Sequence, residues 1–257
     1  MPLDALQPDW DAPAQVGALM STRLGGVSPA PWATLNLGAA AGDEAAAVAE
    51  NRACWARSIG ATPVFMRQVH GTRVLRIDAD VARSSLLQPA EADAAVSTEA
   101  GLACTVQVAD CLPVLFAAPA GRGVAAAHAG WRGLAGGVLE ATVAALCEAA
   151  ACAPGELAVW LGPCIGPRRF EVGADVLQAF GGRPDGGDAR FVPSTRPDGS
   201  PRWLADLPGL AQDRLRALGL TRITGGAWCT VEEASRFFSF RRDGVTGRLA
   251  ASVWIRA

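Results

Sequence analysis

Apolar residues fall along this chain in short runs punctuated by glycine and proline, and those runs predict many brief strands and few helices. Met1 to Ala14 reads as a loose lead-in. Val16 to Thr22 is a strand candidate, followed from Arg23 to Asn36 by a loop whose Gly25, Gly26, Pro29 and Pro31 call for a specialised backbone. Asp43 is placed to cap a helix running to about Ile59. Six β-rich runs then crowd together: Val64–Val69, Val74–Ile77, Ala94–Ser97, Cys104–Val108, Pro113–Ala118 and Gly123–His128. Many are apolar on both faces, as buried strands are. Leu134–Ala151 is the clearest helix. Further strands are expected at Leu157–Leu161, Phe237–Phe240 and Leu249–Ile255, with a helix at about Leu207–Leu218 between them. Gly181–Ser200, rich in Gly, Pro and Asp, reads as an exposed loop. Strands that cluster with few intervening helices favour an α+β fold with a mixed sheet over a doubly wound one. No Gly-x-Gly-x-x-Gly follows a strand, so a dinucleotide fold has no support. No repeat or linker divides residues 1–257, and one domain is expected.

Composition narrows the chemistry. Half the 257 residues are hydrophobic and 19% are charged, which supplies a core and argues against disorder. Net charge is −2 and every basic residue is an arginine, a balance that does not suggest a nucleic-acid or anionic-membrane partner. Without lysine there is no Schiff base for pyridoxal phosphate and no Walker-type phosphate loop. Without tyrosine no phenol can act as acid or base. No apolar run reaches the roughly 18 residues of a membrane span. The start, with Asp4 and Asp9 and no basic residue, is unlike a signal peptide. Seven cysteines without framework spacing fit free thiols in a reducing cytosol, so a cytoplasmic protein is expected. Oligomeric state is not legible.

Only two histidines exist, and both sit at expected strand exits with glycine close behind: His70 in Arg67-Gln68-Val69-His70-Gly71, and His128 in Ala127-His128-Ala129-Gly130. Cys111 lies between two expected strands. Two neutral imidazoles and a thiolate suit zinc, and three protein ligands leave a fourth tetrahedral position open, as catalytic sites do. Spacing alone equally allows a Cys111 nucleophile with His128 as its base, or an ordinary hydrogen-bonded histidine beside a core cysteine.

The order of motifs adds a resemblance. Ser21-Thr22-Arg23-Leu24-Gly25-Gly26-Val27-Ser28, Asn36-Leu37-Gly38, Gln68-Val69-His70-Gly71 and Glu91-Ala92-Asp93-Ala94 are followed by Ala109-Asp110-Cys111-Leu112-Pro113-Val114 and His128-Ala129-Gly130-Trp131-Arg132-Gly133. Phe237-Phe238-Ser239-Phe240-Arg241-Arg242-Asp243-Gly244 and Thr246-Gly247-Arg248 complete the series. Together they resemble the YfiH family, also called the laccase-domain or polyphenol oxidase family, across nearly the whole chain. The resemblance implies an α/β/β/α fold similar to toxin-type cysteine hydrolases and a metal held by His70, Cys111 and His128. It implies phosphorolysis of adenosine, inosine and methylthioadenosine, and deamination of adenosine. A bacterial branch implies the alternative of an amide hydrolase that removes serine from a UDP-muramoyl precursor; a non-catalytic zinc or partner-binding protein is the third class. Zinc is preferred as cofactor. Two histidines cannot build a trinuclear copper cluster, which leaves for copper a single His₂Cys ion with Met66 as axial ligand.

For this activity the expected partners are purine nucleosides and phosphate. Asp110 is a candidate proton carrier, or equally a turn cap. Arg132, at the start of the Leu134 helix, and Arg23, beside the Gly-Gly turn, are candidates for phosphate; the plain reading of either is a surface ion pair. Asn36 could bond a ribose or base, or form a turn. Trp131 is expected to pack near the site, and Cys164 is weighed and set aside as a fourth ligand.

Overall fold

The computed structural model describes residues 3–184 and 187–257; residues 1–2 and 185–186, within the expected lead-in and loop, lie outside the described residues. Two mixed sheets carry most of the strands. One has five, in the order β1 (Ala5–Leu6), β2 (Val16–Ser21), β14 (Leu249–Ile255), β6 (Leu102–Val108) and β3 (Thr62–Val64). The other has six, in the order β13 (Arg222–Gly225), β9 (Ala158–Leu161), β7 (Leu112–Ala117), β8 (Val124–Ala129), β5 (Ala94–Ser97) and β4 (Val74–Arg76). A smaller antiparallel sheet joins β10 (Glu171–Val172), β12 (Pro201–Ala205) and β11 (Phe191–Thr195).

The two-residue period of the strands explains the layering. In β8, Ala125 and Ala127 join a core with Leu139, Val143 and Leu146 of α4 (Val138–Ala150), while Val124 and Ala126 turn the other way. There they meet Val106 of β6 and Ala251 and Val253 of β14, so the two sheets share a face. The alternate residues of β14, Ala250 and Trp254, pack on Trp55 and Ile59 of α1 (Ala45–Ile59). The order helix, sheet, sheet, helix follows, with α6 (Leu207–Ala217) beside α4 on the outer face of the six-stranded sheet. Runs apolar on both faces are therefore strands covered on both sides, as expected.

Several expectations need correction. The strand expected at Val64–Val69 ends at Val64, and residues 65–69 become a loop held by one bridge, Arg67 to Glu91. Phe237–Phe240 is not a strand: Phe237 and Phe238 are buried in the inter-sheet core, and a short helix, α7 (Phe240–Asp243), starts there, capped by Ser239. Asp43 caps nothing; α1 starts after Glu44 without a side-chain cap, and Asp43 instead accepts hydrogen bonds from Ser28 and Asn36. The Leu134 helix is two, α3 (Trp131–Gly136) and α4, parted at Gly137, whose φ of 100° only glycine takes without strain. The loop expected over Gly181–Ser200 contains β11, which pairs with β12 in a hairpin; Pro193 inside the strand and the Gly-, Pro- and Asp-rich sequence around it hid it. α2 (Ala79–Ser85), α5 (Ala174–Ala179), β1, β10 and β13 had no periodic signal long enough to announce them.

Candidate metal centre

Strand register draws the distant residues to one end of the six-stranded sheet. Antiparallel pairing sets Leu112 opposite Ala129 and Pro113 opposite His128, so Cys111, just before β7, arrives beside His128 near the end of β8. Ala94 pairs with Ala127, which puts Asp93, just before β5, next to His128. Val74 runs parallel to Ala94, and the loop entering β4 carries His70 to the same place.

Asp93 ties the cluster together. Its side chain is fully buried and accepts from the backbone N–H groups of Val69 (3.1 Å), His70 (2.8 Å) and Gly71 (2.7 Å). It also bonds His128 Nδ1 at 2.9 Å. One carboxylate thus shapes the His70 loop and orients the His128 ring, leaving His128 Nε2 for a ligand. Burial pushes the Asp93 carboxyl up, but its bonds to His128, Gly71 and Val69 outweigh this and hold it below its ordinary range. Sequence reasoning quoted Asp93 in a motif and gave it no role; a lone acid framed by Ala92 and Ala94 at the head of a buried strand was the signal.

The ligand atoms of His70, Cys111 and His128 lie within 4.8 Å of one another. Cys111 Sγ is 3.7 Å from His70 Nε2, and the two rings meet edge-on with centroids 4.8 Å apart. A tetrahedral zinc with bonds of about 2.0–2.3 Å holds its ligand atoms roughly 3.3–3.6 Å apart, so the donor set is of the right kind and its widest spacing would close by about 1–1.5 Å to hold the ion. Gly130 makes the approach possible: a Cβ there would lie 2.7 Å from His70 Cδ2 and 2.9 Å from Cys111 Sγ. Two non-glycine residues in the left-handed region, His70 (φ 63°) and Asp110 (φ 93°), flank the cluster, and such strain gathers at functional sites.

Electrostatics favour a cation at the same point. Burial raises the Cys111 thiol, but the charge and hydrogen bonding of His128, with help from His70, bring it down to about 6. His128, which burial pushes down, is carried up to about 9 by Cys111 and Asp93. Without metal the pair therefore holds a proton between thiolate and imidazole, where a metal cation would replace it.

A cavity of about 430 Å³ opens beside the cluster. His70 and His128 line it, together with Met66, Gln107, Phe240 and Arg248 among others. Asp110 adjoins Cys111, yet both its oxygens are engaged, by Thr230 Oγ1 (2.6 Å) and by the Arg241 N–H (2.6 Å), so it pins α7 to the turn that carries Cys111. The remaining candidates do not line the cavity. Arg23 lies over the Phe238 ring and donates to Ala33 O and Ala234 O. Arg132 is exposed and stacks on Trp131. Asn36 is buried and accepts from the N–H groups of Gly38 and Arg248, two residues that do line the cavity. Cys164 forms a backbone β-bridge with Cys229, both thiols are free, and Cys164 is not part of the ligand cluster.

The chain is similar to known proteins along nearly its whole length. The profile of the family described as multi-copper polyphenol oxidoreductase laccase matches residues 17–256. A Pseudomonas aeruginosa protein named purine nucleoside phosphorylase is 49% identical over 98% of both chains. The purine nucleoside phosphorylase YfiH of Escherichia coli K12 is 44% identical over 96% of this chain and 97% of its own. A crystal structure of a Neisseria meningitidis protein superposes with a TM-score of 0.88 at 43% identity, covering 98% of this chain and 99% of that one.

Proposed function

Because this chain belongs to the multi-copper polyphenol oxidoreductase laccase family, whose YfiH-named members it resembles throughout its length, we propose that it is a zinc-dependent purine nucleoside enzyme. It cleaves adenosine, inosine and methylthioadenosine with phosphate and deaminates adenosine with water. The observation that carries this reading is the convergence of two imidazoles and a thiol beside a nucleoside-sized cavity that both imidazoles line. The names of the relatives supply the substrate class. Despite the family's description, two histidines cannot furnish the mostly imidazole shell of a multicopper cluster, whereas His₂Cys suits zinc.

When bound, zinc supplies a Lewis acid beside the cavity. The chain's own residues do the rest. Asp93 fixes His128 in one orientation and sets the His70 loop. Met66 and Phe240 offer apolar surface to a purine. In phosphorolysis a phosphate oxygen bonds to C1′ as the C1′–N9 bond breaks and the electron pair leaves with the base. Asp110 keeps the Cys111 turn and α7 in register through the reaction.

One observation favours a second reading. Cys111, His128 and Asp93 stand in the order of a thiolate, its imidazole partner and an orienting carboxylate, which suits an amide hydrolase. Metal analysis together with adenosine turnover, with and without phosphate, decides between them. We expect stoichiometric zinc, adenine appearing only with phosphate and inosine without it, and loss of metal and both activities in Cys111→Ala. Covalent capture of Cys111 by an electrophile in metal-free protein, with no nucleoside consumed, would overturn the proposal in favour of the hydrolase.

A further inference from the structure

Phosphorolysis needs a group to hold phosphate, and the two arginines expected for that role lie outside the cavity. Two others line it, Arg67 and Arg248. Arg67 is exposed and already paired with Glu91. Arg248 has no carboxylate partner among the described residues. Its Nη1 donates to the carbonyls of Thr246 (2.9 Å) and Gly247 (3.1 Å), and its backbone N–H donates to Asn36 Oδ1 (2.8 Å). Gly38 makes room for its stem: a Cβ at that position would lie 2.5 Å from Arg248 Cγ. These contacts fix the fork and leave Nε and Nη2 without a protein acceptor among the described residues.

A guanidinium stays charged in such surroundings, and burial lowers its pKa from the ordinary value while Cys111 and Asp110 only partly compensate. A partly buried cation held in place by carbonyls, with an unspent donor edge and a place in the cavity lining, has the geometry for an oxyanion taken two oxygens at a time. We propose that Arg248 is the phosphate-binding residue of this cavity, its Nε and Nη2 edge donating to two phosphate oxygens. The assignment rests on the nucleoside phosphorylase reading for its place in catalysis, and on the cavity alone for its ligand. The phosphate can arrive as the inorganic co-substrate or as the ester of a nucleotide.

The test uses zinc-loaded full-length protein, with Arg248→Met to remove the fork at similar bulk and Arg248→Lys to keep charge without it. Phosphorus NMR titration of inorganic phosphate, and in parallel of adenosine 5′-monophosphate, reads binding directly; adenosine turnover against phosphate concentration reads catalysis. We expect Arg248→Met to weaken binding of the preferred phosphate at least tenfold and to raise KM for phosphate as much, with KM for adenosine and zinc content unchanged. Lysine should recover part of the loss, and added guanidinium should rescue Arg248→Ala. Tighter binding of inorganic phosphate identifies the co-substrate as the source, and tighter binding of the monophosphate identifies the ester. If the wild type binds phosphate through Arg248 but never splits adenosine, the phosphorylase reading fails and this inference stands. If folded Arg248→Met binds both phosphates as the wild type does, the inference is overturned whatever the activity.

Discussion

The metal site and the remaining walls of the cavity are built by different means. At the metal site Cys111 and His128 are placed by the register of β7 and β8, His70 comes in on the loop ahead of β4, and a buried carboxylate ties that loop to His128. Other walls of the cavity are Gly38 in a loop, Arg248 just ahead of β14, and Phe240 on a helix of four residues. Metal coordination tolerates ligand displacements of only about 0.2 Å, so it needs donors set on a firm frame, and the register of β7 against β8 supplies one for Cys111 and His128. A substrate surface can adjust, and there loops tethered at single points suffice. Asp110, which bonds Arg241 on α7 while adjoining Cys111, is where the two constructions meet.

The sharpest way to break that contrast is at Asp93. Asp93→Ala removes the acceptor of three N–H groups and the partner of His128. Loss of such an orienting partner costs about 10- to 100-fold in metal affinity, and each stranded buried donor adds about 1–3 kcal/mol of instability. Zinc affinity measured by competition with a chelator should fall roughly a hundredfold in the alanine variant and roughly tenfold in Asp93→Asn, which keeps one acceptor oxygen. Wild-type affinity in Asp93→Ala would mean that the ligands hold their places without it.

A milder perturbation is pH. Between about 6 and about 9 the metal-free Cys111–His128 pair carries one proton that zinc must displace. Lowering pH in that window raises the proton concentration competing for the site, so affinity should fall about tenfold per unit. Above about 9 the dependence should flatten, because His128 is then already neutral. Below about 6, where Cys111 is protonated as well, it should steepen. Phosphate binding at Arg248, which stays charged throughout, should not follow this curve between pH 7.5 and 9, where inorganic phosphate is already largely dianionic. Identical pH profiles for zinc and phosphate would show that the metal site and the Arg248 wall are a single electrostatic unit.

How much of this was readable beforehand also divides along the cavity. Ala94–Ser97 and Leu249–Ile255 appear with their expected bounds, because their apolar runs end at turn residues. The candidate ligands His70 and His128 were recognisable as the chain's two histidines and Cys111 as a thiol between two expected strands, although His70 proves to lie in a loop and not at a strand exit. Asp93 was not, because a buried acid and an exposed one look alike until register sets a histidine against it. Phe237–Phe240 misled because three phenylalanines around one serine imitate a strand, whereas Phe237 and Phe238 plug the inter-sheet core and Phe240 faces outward. Arg248 could not be told from 22 other arginines, since what distinguishes it is the company of Asn36 and Gly38, more than 200 positions away.

The smallest expected effect concerns Phe240, 58% exposed at the cavity wall. Stacking of a base on an aromatic ring is worth about 1–3 kcal/mol, and a ring this open to water belongs at the low end. Phe240→Ala should therefore raise KM for adenosine about fivefold, near 1 kcal/mol. If the ring holds ground state and transition state alike, kcat stays the same. Zinc content should not change, because α7 is fastened by Ser239 and Asp110 rather than by the Phe240 ring. Phe240→Leu should fall between the two, having apolar surface without a π face. If KM stays put while zinc is lost, α7 props up the metal site, and the division between a rigid part and an adaptable one has been drawn in the wrong place.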